Sequence, residues 1–153
     1  MQNYPFIATS EMTKKAYEIA EKSHKGAVDK SNAPYILHPL TVAASVAAYG
    51  EKYITTALLH DVVEDTDVTI SDLKNLFPDE IVQALKLLTY DNHTKYIDYV
   101  QSIKDSGNDI AIKVKIADLN HNMDISRITN PSQRDYDRIE KKYKPALEIL
   151  LPI

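Results

Sequence analysis

The sequence predicts an all-α fold, on three observations. Apolar residues recur three and four apart along nearly the whole chain, no segment alternates in the manner of a strand, and residues that start and stop helices punctuate the pattern. The count is seven or eight helices. A chain of 153 residues buries roughly two-thirds of the surface that its unfolded form exposes, so one core over residues 1–153 is expected.

Taken in order, the first helix places Met12, Ala16, Ile19, Ala20 and Ser23 on one face, with Thr9 or Ser10 able to cap its start. Residues 25–37 lose that rhythm and contain Gly26, Asn32 and Pro34, which reads as a loop. Pro39 suits the opening turn of the second helix, whose stripe of Leu40, Ala43, Val46 and Ala47 stops at Gly50. A third helix covers about Lys52 to Glu64. A short one follows Thr69, which stands three residues before Asp72 in a weak capping-box pattern. Pro78 opens the next helix and turns Ile81, Leu85 and Leu88 inward. Helices over Tyr96 to Asp105, Ile110 to about Asn122, and 132 to 151 complete the chain. The first few residues and the last two or three are expected to lie outside the packed body.

Composition excludes several functions. The formal charge of −4 offers no basic footprint for a nucleic acid. The absence of cysteine removes disulfides, thiolate zinc sites and a cysteine nucleophile, and fits a reducing cytoplasm. Met1 to Ile7 lacks the basic start and apolar stretch of a secretion signal, and Val42 to Ala48 falls far short of the ~20 residues of a spanning helix, so no membrane partner is expected. With glycine only at 26, 50 and 107, neither a phosphate-binding P-loop nor a dinucleotide fingerprint is present. No pattern specifies an oligomeric state.

The third helix carries the chemistry. At ~100° per residue, His60 and Asp61 occupy adjacent parts of its surface, Glu64 projects between them one turn later, and Asp65 extends the arc. Leu58, Leu59, Val62 and Val63 take the other side. Carboxylates crowded in this way must be protonated, solvated or neutralised by a cation. An exposed acidic helix end satisfies the second condition, and a bound divalent metal the third. Two further segments bear on the choice. His38 precedes the helix-starting Pro39, and Asp118 interrupts an apolar helix face, where a lone buried acid is costly unless paired or metal-bound. Two histidines and two aspartates suit Mn²⁺, Fe²⁺ or Zn²⁺.

The order His…His-Asp…Asp resembles the signature of the HD phosphohydrolases. The segment Ala57-Leu-Leu-His-Asp-Val-Val-Glu-Asp-Thr66 is similar to the hydrolase motif of the RelA/SpoT alarmone enzymes, and Pro34-Tyr-Ile-Leu-His-Pro39 and Lys115-Ile-Ala-Asp-Leu-Asn-His-Asn-Met123 resemble its flanking motifs. The likeness runs from about residue 16 to 123, with a fainter echo at Tyr143-Lys-Pro-Ala-Leu147. It implies a helical HD bundle around one metal, with no synthetase or regulatory domain in so short a chain. By the resemblance, His38, His60, Asp61 and Asp118 hold the metal, Mn²⁺ foremost. Glu64 and Asp65 orient the attacking water and handle protons, Asn122 contacts substrate, and Lys30 and Ser31 lie beside the nucleotide. Tyr35 falls near the metal in the same motif. The implied reaction removes the 3′-pyrophosphate of guanosine tetra- or pentaphosphate.

The first family motif, His-x-Gly-Gln-x-Arg-x-Ser-Gly-x-Pro-Tyr, departs here. His24-Lys-Gly-Ala-Val-Asp-Lys-Ser-Asn-Ala-Pro-Tyr35 has Ala27 for the glutamine and Asp29 for the arginine that lies against the base. Two further basic positions are Leu119 and Asp124. An aspartate cannot stack on a purine as a guanidinium does. Three readings therefore stand: an alarmone hydrolase in which Lys25, Lys30 or another base compensates, a phosphohydrolase for another nucleotide or cofactor phosphate such as a nucleoside monophosphate or NADPH, or an idle nucleotide-binding domain. His24 and His121 match positions that do not ligate metal and read as hydrogen-bonded histidines near the cleft, and His93 reads as exposed. Arg127, Arg134, Arg138, Lys141 and Lys142 could receive phosphate from one side of the cleft, although a solvated helix face is the reading for most of them.

Overall fold

The computed structural model describes residues 4–152; residues 1–3 and 153, part of the expected chain ends outside the body, fall outside the described residues. The described residues form α-helices with no strand among them. The nearest approach to a strand is one antiparallel bridge between Val28 and Pro34 inside the expected loop.

Helix α1 (Glu11–Ser23) starts at Ser10, whose hydroxyl accepts from the Thr13 N–H in a reciprocal capping box. Helix α2 (Leu37–Val46) tightens into a 3₁₀ turn at Ala47–Tyr49 and stops at Gly50, where φ is +114°, a conformation open to glycine at little cost. Helices α3 (Glu51–Leu59) and α4 (Val62–Asp65) follow, then α5 (Ile70–Lys74) with Thr69 and Asp72 making the expected box. Pro78 precedes α6 (Asp79–Leu88), which buries Ile81, Leu85 and Leu88. Helix α7 (Tyr96–Ser106) ends at left-handed Gly107, and Asn108 caps α8 (Asp109–Asn122).

Two expected helices are divided. The third breaks at His60 and Asp61. There the His60 N–H makes a tight i→i−3 contact with the Ala57 carbonyl, and the His60 ring bonds the same oxygen through Nδ1 at 2.5 Å. The last helix is three pieces: α9 (Gln133–Arg138), a π-helical turn (Ile139–Tyr143) and α10 (Lys144–Leu150). Pro145 supplies the reason. It has no N–H to donate, and its ring crowds the carbonyl four residues earlier, so the preceding turn widens.

Helix α8 packs against α2, α3, α6, α7 and α10, and buries residues nearly all round, from Ile110 and Ala111 to Leu119. Leu58, Leu59, Val62, Leu85, Ile103 and Leu150 join it in the core. Two polar residues of α8, Lys115 and Asp118, are buried with that apolar set. The site is built around them.

Candidate metal centre

Three segments converge on Asp118. The first turn of α2 delivers His38, the α3–α4 break delivers His60 and Asp61, and the third turn of α8 delivers Asp118 itself. One ligating atom from each of the four lies within 4.8 Å of the others. His38 Nε2 stands 2.9 Å from Asp118 Oδ1 and 3.5 Å from Asp61 Oδ2. His60 Nε2 stands 3.1 Å from Asp61 Oδ2 and 3.3 Å from Asp118 Oδ1. The break in the helix thus has a use: the Ala57 carbonyl holds the Nδ1 proton of His60 and turns the Nε2 lone pair toward the carboxylates.

The donor set fits a divalent cation. Two imidazole nitrogens and two carboxylate oxygens facing one another are electron-rich on every side, and only protons or a cation between them relieve the repulsion. With protons alone, burial opposes charge on His60, but Asp61 and Asp118 outweigh it and raise its pKa well above the usual histidine value. Burial likewise opposes charge on Asp118, yet Lys115, His38 and His60 hold its carboxyl well below the ordinary range.

A surrounding layer of polar contacts fixes each of the four side chains. The Tyr35 hydroxyl donates to Asp61 Oδ2 at 2.5 Å, and Asn122 Nδ2 donates to Asp118 Oδ1 at 3.3 Å. Lys115 Nζ donates to Asp118 Oδ2 at 2.9 Å. This buried lysine has no role in the sequence reading, although its i,i+3 spacing from Asp118 on an apolar helix was the available signal. His121, expected near the cleft, meets His38 with the two Nδ1 atoms 2.6 Å apart. His24 corrects its expectation: it is buried beside the Tyr35 ring, and its Nε2 has no hydrogen-bond partner among the described residues. His93 is exposed.

Glu64 and Asp65 stand beside the cluster, forming with Asp61 a second acidic group. Glu64 Oε1 accepts the Tyr90 N–H at 2.7 Å, and partial burial together with Asp61 and Asp65 pushes its pKa up. Burial and Asp61 do the same to Asp65. These residues line a cavity of about 300 Å³ with His38, His60, Asp118 and Lys142. A second cavity of about 270 Å³ shares Tyr35, His38, Asn122 and Tyr143 with the first. Lys30 and Ser31 line this outer cavity. The Lys30 ammonium is bound to Asp135 at 2.7 Å, and the Ser31 hydroxyl donates to the Arg127 carbonyl. Lys25 is exposed and is not among the residues lining either cavity. Arg127 and Arg138 line the outer cavity and Lys142 the inner one, so for these three of the five basic residues the cleft-side reading fits and the solvated face does not.

Comparison with known proteins points to one family. The HD domain family model matches residues 16–115, which takes in His38, His60, Asp61 and Lys115 and stops short of Asp118. The chain is 32% identical over 162 residues to the GTP pyrophosphokinase of Streptomyces coelicolor, covering 99% of this chain and 18% of that protein. It is 39% identical over 127 residues to the guanosine-3′,5′-bis(diphosphate) 3′-pyrophosphohydrolase of Spiroplasma citri, covering 76% and 17%. It is 32% identical over 151 residues to the bifunctional (p)ppGpp synthase/hydrolase SpoT of Escherichia coli, covering 92% and 21%. The chain therefore spans about a fifth of the length of these relatives. A solved structure described as a metazoan ortholog of SpoT that hydrolyses ppGpp has the same fold, with a TM-score of 0.77 and 23% identity over 99% of this chain and 89% of that one. No helix among the described residues is long and apolar enough to cross a membrane.

Proposed function

Because the chain belongs to the HD-domain family, we propose that it is a metal-dependent hydrolase removing the 3′-pyrophosphate from guanosine tetra- or pentaphosphate. The observation that carries this reading is the convergence of His38, His60, Asp61 and Asp118 beside Glu64 and Asp65 on one cavity. Relatives named for the same hydrolysis support it.

In this reading the four residues hold one divalent cation, Mn²⁺ first, with Fe²⁺ and Zn²⁺ compatible with the same donors. When bound, such an ion neutralises phosphate charge and lowers the pKa of water in its site. The protein's own residues do the rest. Glu64, with a raised pKa and within the same cavity, takes the proton of the attacking water, and Asp65 helps to orient it. Lys115 keeps Asp118 ionised for ligation. Tyr35 and Asn122 hold the two ligating aspartates from the side that faces the outer cavity. Lys30 and Ser31 shape the nucleotide's end of the cleft.

One observation favours a second reading, in which the same chemistry acts on another nucleotide phosphate. Asp29 Oδ1 accepts the Ser31 and Ala33 N–H groups at 2.8 and 3.0 Å, so the side chain that stands in place of the family's base-contacting arginine is held in its own loop through this oxygen. A purely binding role has less in its favour, since it gives no use to Glu64 and Asp65.

The test is phosphate and pyrophosphate release by metal-free protein resupplied with Mn²⁺, over guanosine tetraphosphate, NADPH and simple nucleotides, with His60→Ala and Glu64→Ala as controls. Manganese-dependent pyrophosphate release from guanosine tetraphosphate, lost in both variants, is the expected result. Release from another substrate alone selects the second reading.

A further inference from the structure

The outer cavity is chemically unlike the inner one. Val28, Ile128 and Ile139 give it apolar walls, and Val28 remains 53% exposed at its edge. Its charges are largely matched. Lys30 is paired with Asp135 at 2.7 Å, and Arg127 Nη1 faces Asp29 Oδ2 at 3.8 Å. The two carboxylates pair with two of the three lining cations, Lys30 and Arg127, which leaves Arg138 as the one lining cation outside these pairs and limits the charge offered to phosphate. The paired charges and apolar walls make a good slot for a flat, uncharged group attached to phosphates that reach the metal cavity next door.

Arg127 is held in an unusual way for a surface arginine. Its Nε donates to the His121 carbonyl at 3.0 Å, its Nη2 to Asn122 Oδ1 at 3.3 Å, and its Nη1 lies toward Asp29. The backbone beside it is pinned too, since the Ser31 hydroxyl donates to the Arg127 carbonyl and accepts the Thr129 N–H. Nitrogens along the guanidinium's edge are thus engaged by the protein on both sides of the cavity. What remains for a ligand is the planar face, and a guanidinium plane stacks on aromatic heterocycles as a cation. Immobilising it beforehand removes most of the entropy cost of that contact.

From this we infer that Arg127 forms a flat cationic wall against which the nucleobase of the substrate stacks, with Asp29 and Asn122 as the side chains that position it. The inference rests on the nucleotide reading above and adds the specificity-determining residue. It also gives Asp29 a purpose: an acid at this position caps the loop through one oxygen and anchors the arginine's end through the other. Arg127 belongs to the binding of the base and not to the reacting atoms, so its removal should raise KM and leave kcat nearly unchanged.

The experiment measures equilibrium binding of guanosine diphosphate and of inorganic pyrophosphate, the base-free probe, to the full Mn²⁺-loaded chain. Wild type, Arg127→Ala and Arg127→Lys are compared, with thermal melting to check the fold. Wild type should hold the nucleotide more tightly than pyrophosphate. Arg127→Ala should weaken the nucleotide about tenfold and pyrophosphate less than about twofold. Arg127→Lys keeps the charge without the plane, should not restore nucleotide binding, and carries the test if the alanine variant melts early. Equal losses for both probes, full rescue by lysine, unchanged nucleotide binding, or a wild type that does not distinguish the probes would each overturn the inference. Guanosine tetraphosphate turnover is assayed alongside. Base-dependent binding lost in Arg127→Lys without any turnover would remove the hydrolase assignment and leave this wall standing.

Discussion

The rings of His38 and His121 lie nearly parallel, 15° apart with centroids at 4.9 Å, and their Nδ1 atoms approach to 2.6 Å. His38 turns its other nitrogen toward Asp118. One histidine therefore fixes the tautomer and tilt of another that belongs to the proposed metal set. His121 stays uncharged in this role, because burial, Arg127 and His38 push its pKa down to about 4. Replacing His121 by alanine should leave the fold in place and weaken Mn²⁺ binding ~10- to 100-fold. Metal titration by calorimetry reads this directly, and an unchanged affinity would remove His121 from the supporting layer.

Glu64→Gln separates holding the metal from using it. Glutamine preserves an acceptor for the Tyr90 N–H but cannot take a proton. Metal content should match wild type while turnover falls by roughly 10²- to 10⁴-fold, the usual worth of a positioned base. If metal is lost along with activity, Glu64 is a ligand and not the base.

The Lys115–Asp118 pair bears on stability as well as on the site. Both side chains are buried, and removing the lysine leaves Asp118 charged in an apolar setting. Lys115→Met should destabilise the metal-free protein by about 3–5 kcal/mol. A smaller loss is expected with Mn²⁺ present, as the cation then compensates Asp118. Urea denaturation with and without metal gives both numbers. Equal losses in the two states would show that Lys115 and the metal do not share Asp118.

Acid should weaken the metal-free fold in a defined window. Although burial opposes its charge, Asp61 is held down at about 2, mainly by His60, against an ordinary 3.8. A carboxylate with a lowered folded value contributes stability that is complete above the unfolded value and disappears as pH falls through the folded one. The contribution from Asp61 should therefore fade between about pH 4 and pH 2, and Asp118 extends it further down. Denaturation midpoints across this range should fall less steeply in Asp61→Asn than in wild type. Parallel slopes would contradict the assignment.

What was legible in the sequence was what leaves a local trace. A cap at Thr9 or Ser10, the capping box at Thr69, the stop at Gly50, and acids breaking the apolar faces around His60 and Asp118 all depend on neighbours a few residues away. The four proposed ligands were readable through the resemblance to the HD motifs, with acids on apolar helix faces at Asp61 and Asp118 as a local trace. The breaks in two helices were not, since one depends on a histidine ring competing for the Ala57 carbonyl and the other on how Pro145 widens the turn before it. Pairings across the chain were hidden for a different reason. Nothing near Lys30 announces Asp135, and nothing near Asp29 announces Arg127, so which of the basic residues between 127 and 142 face the cavities was not readable.

The central claim is that the His and Asp cluster directs hydrolysis at the 3′-pyrophosphate. Its most direct test is product analysis of guanosine tetraphosphate incubated with Mn²⁺-loaded wild-type protein, by ion-exchange chromatography beside His60→Ala. The account predicts guanosine diphosphate and pyrophosphate in equal amounts from wild type and neither from the variant. An intact substrate with metal demonstrably bound, or a product that has lost only single phosphates, would contradict it.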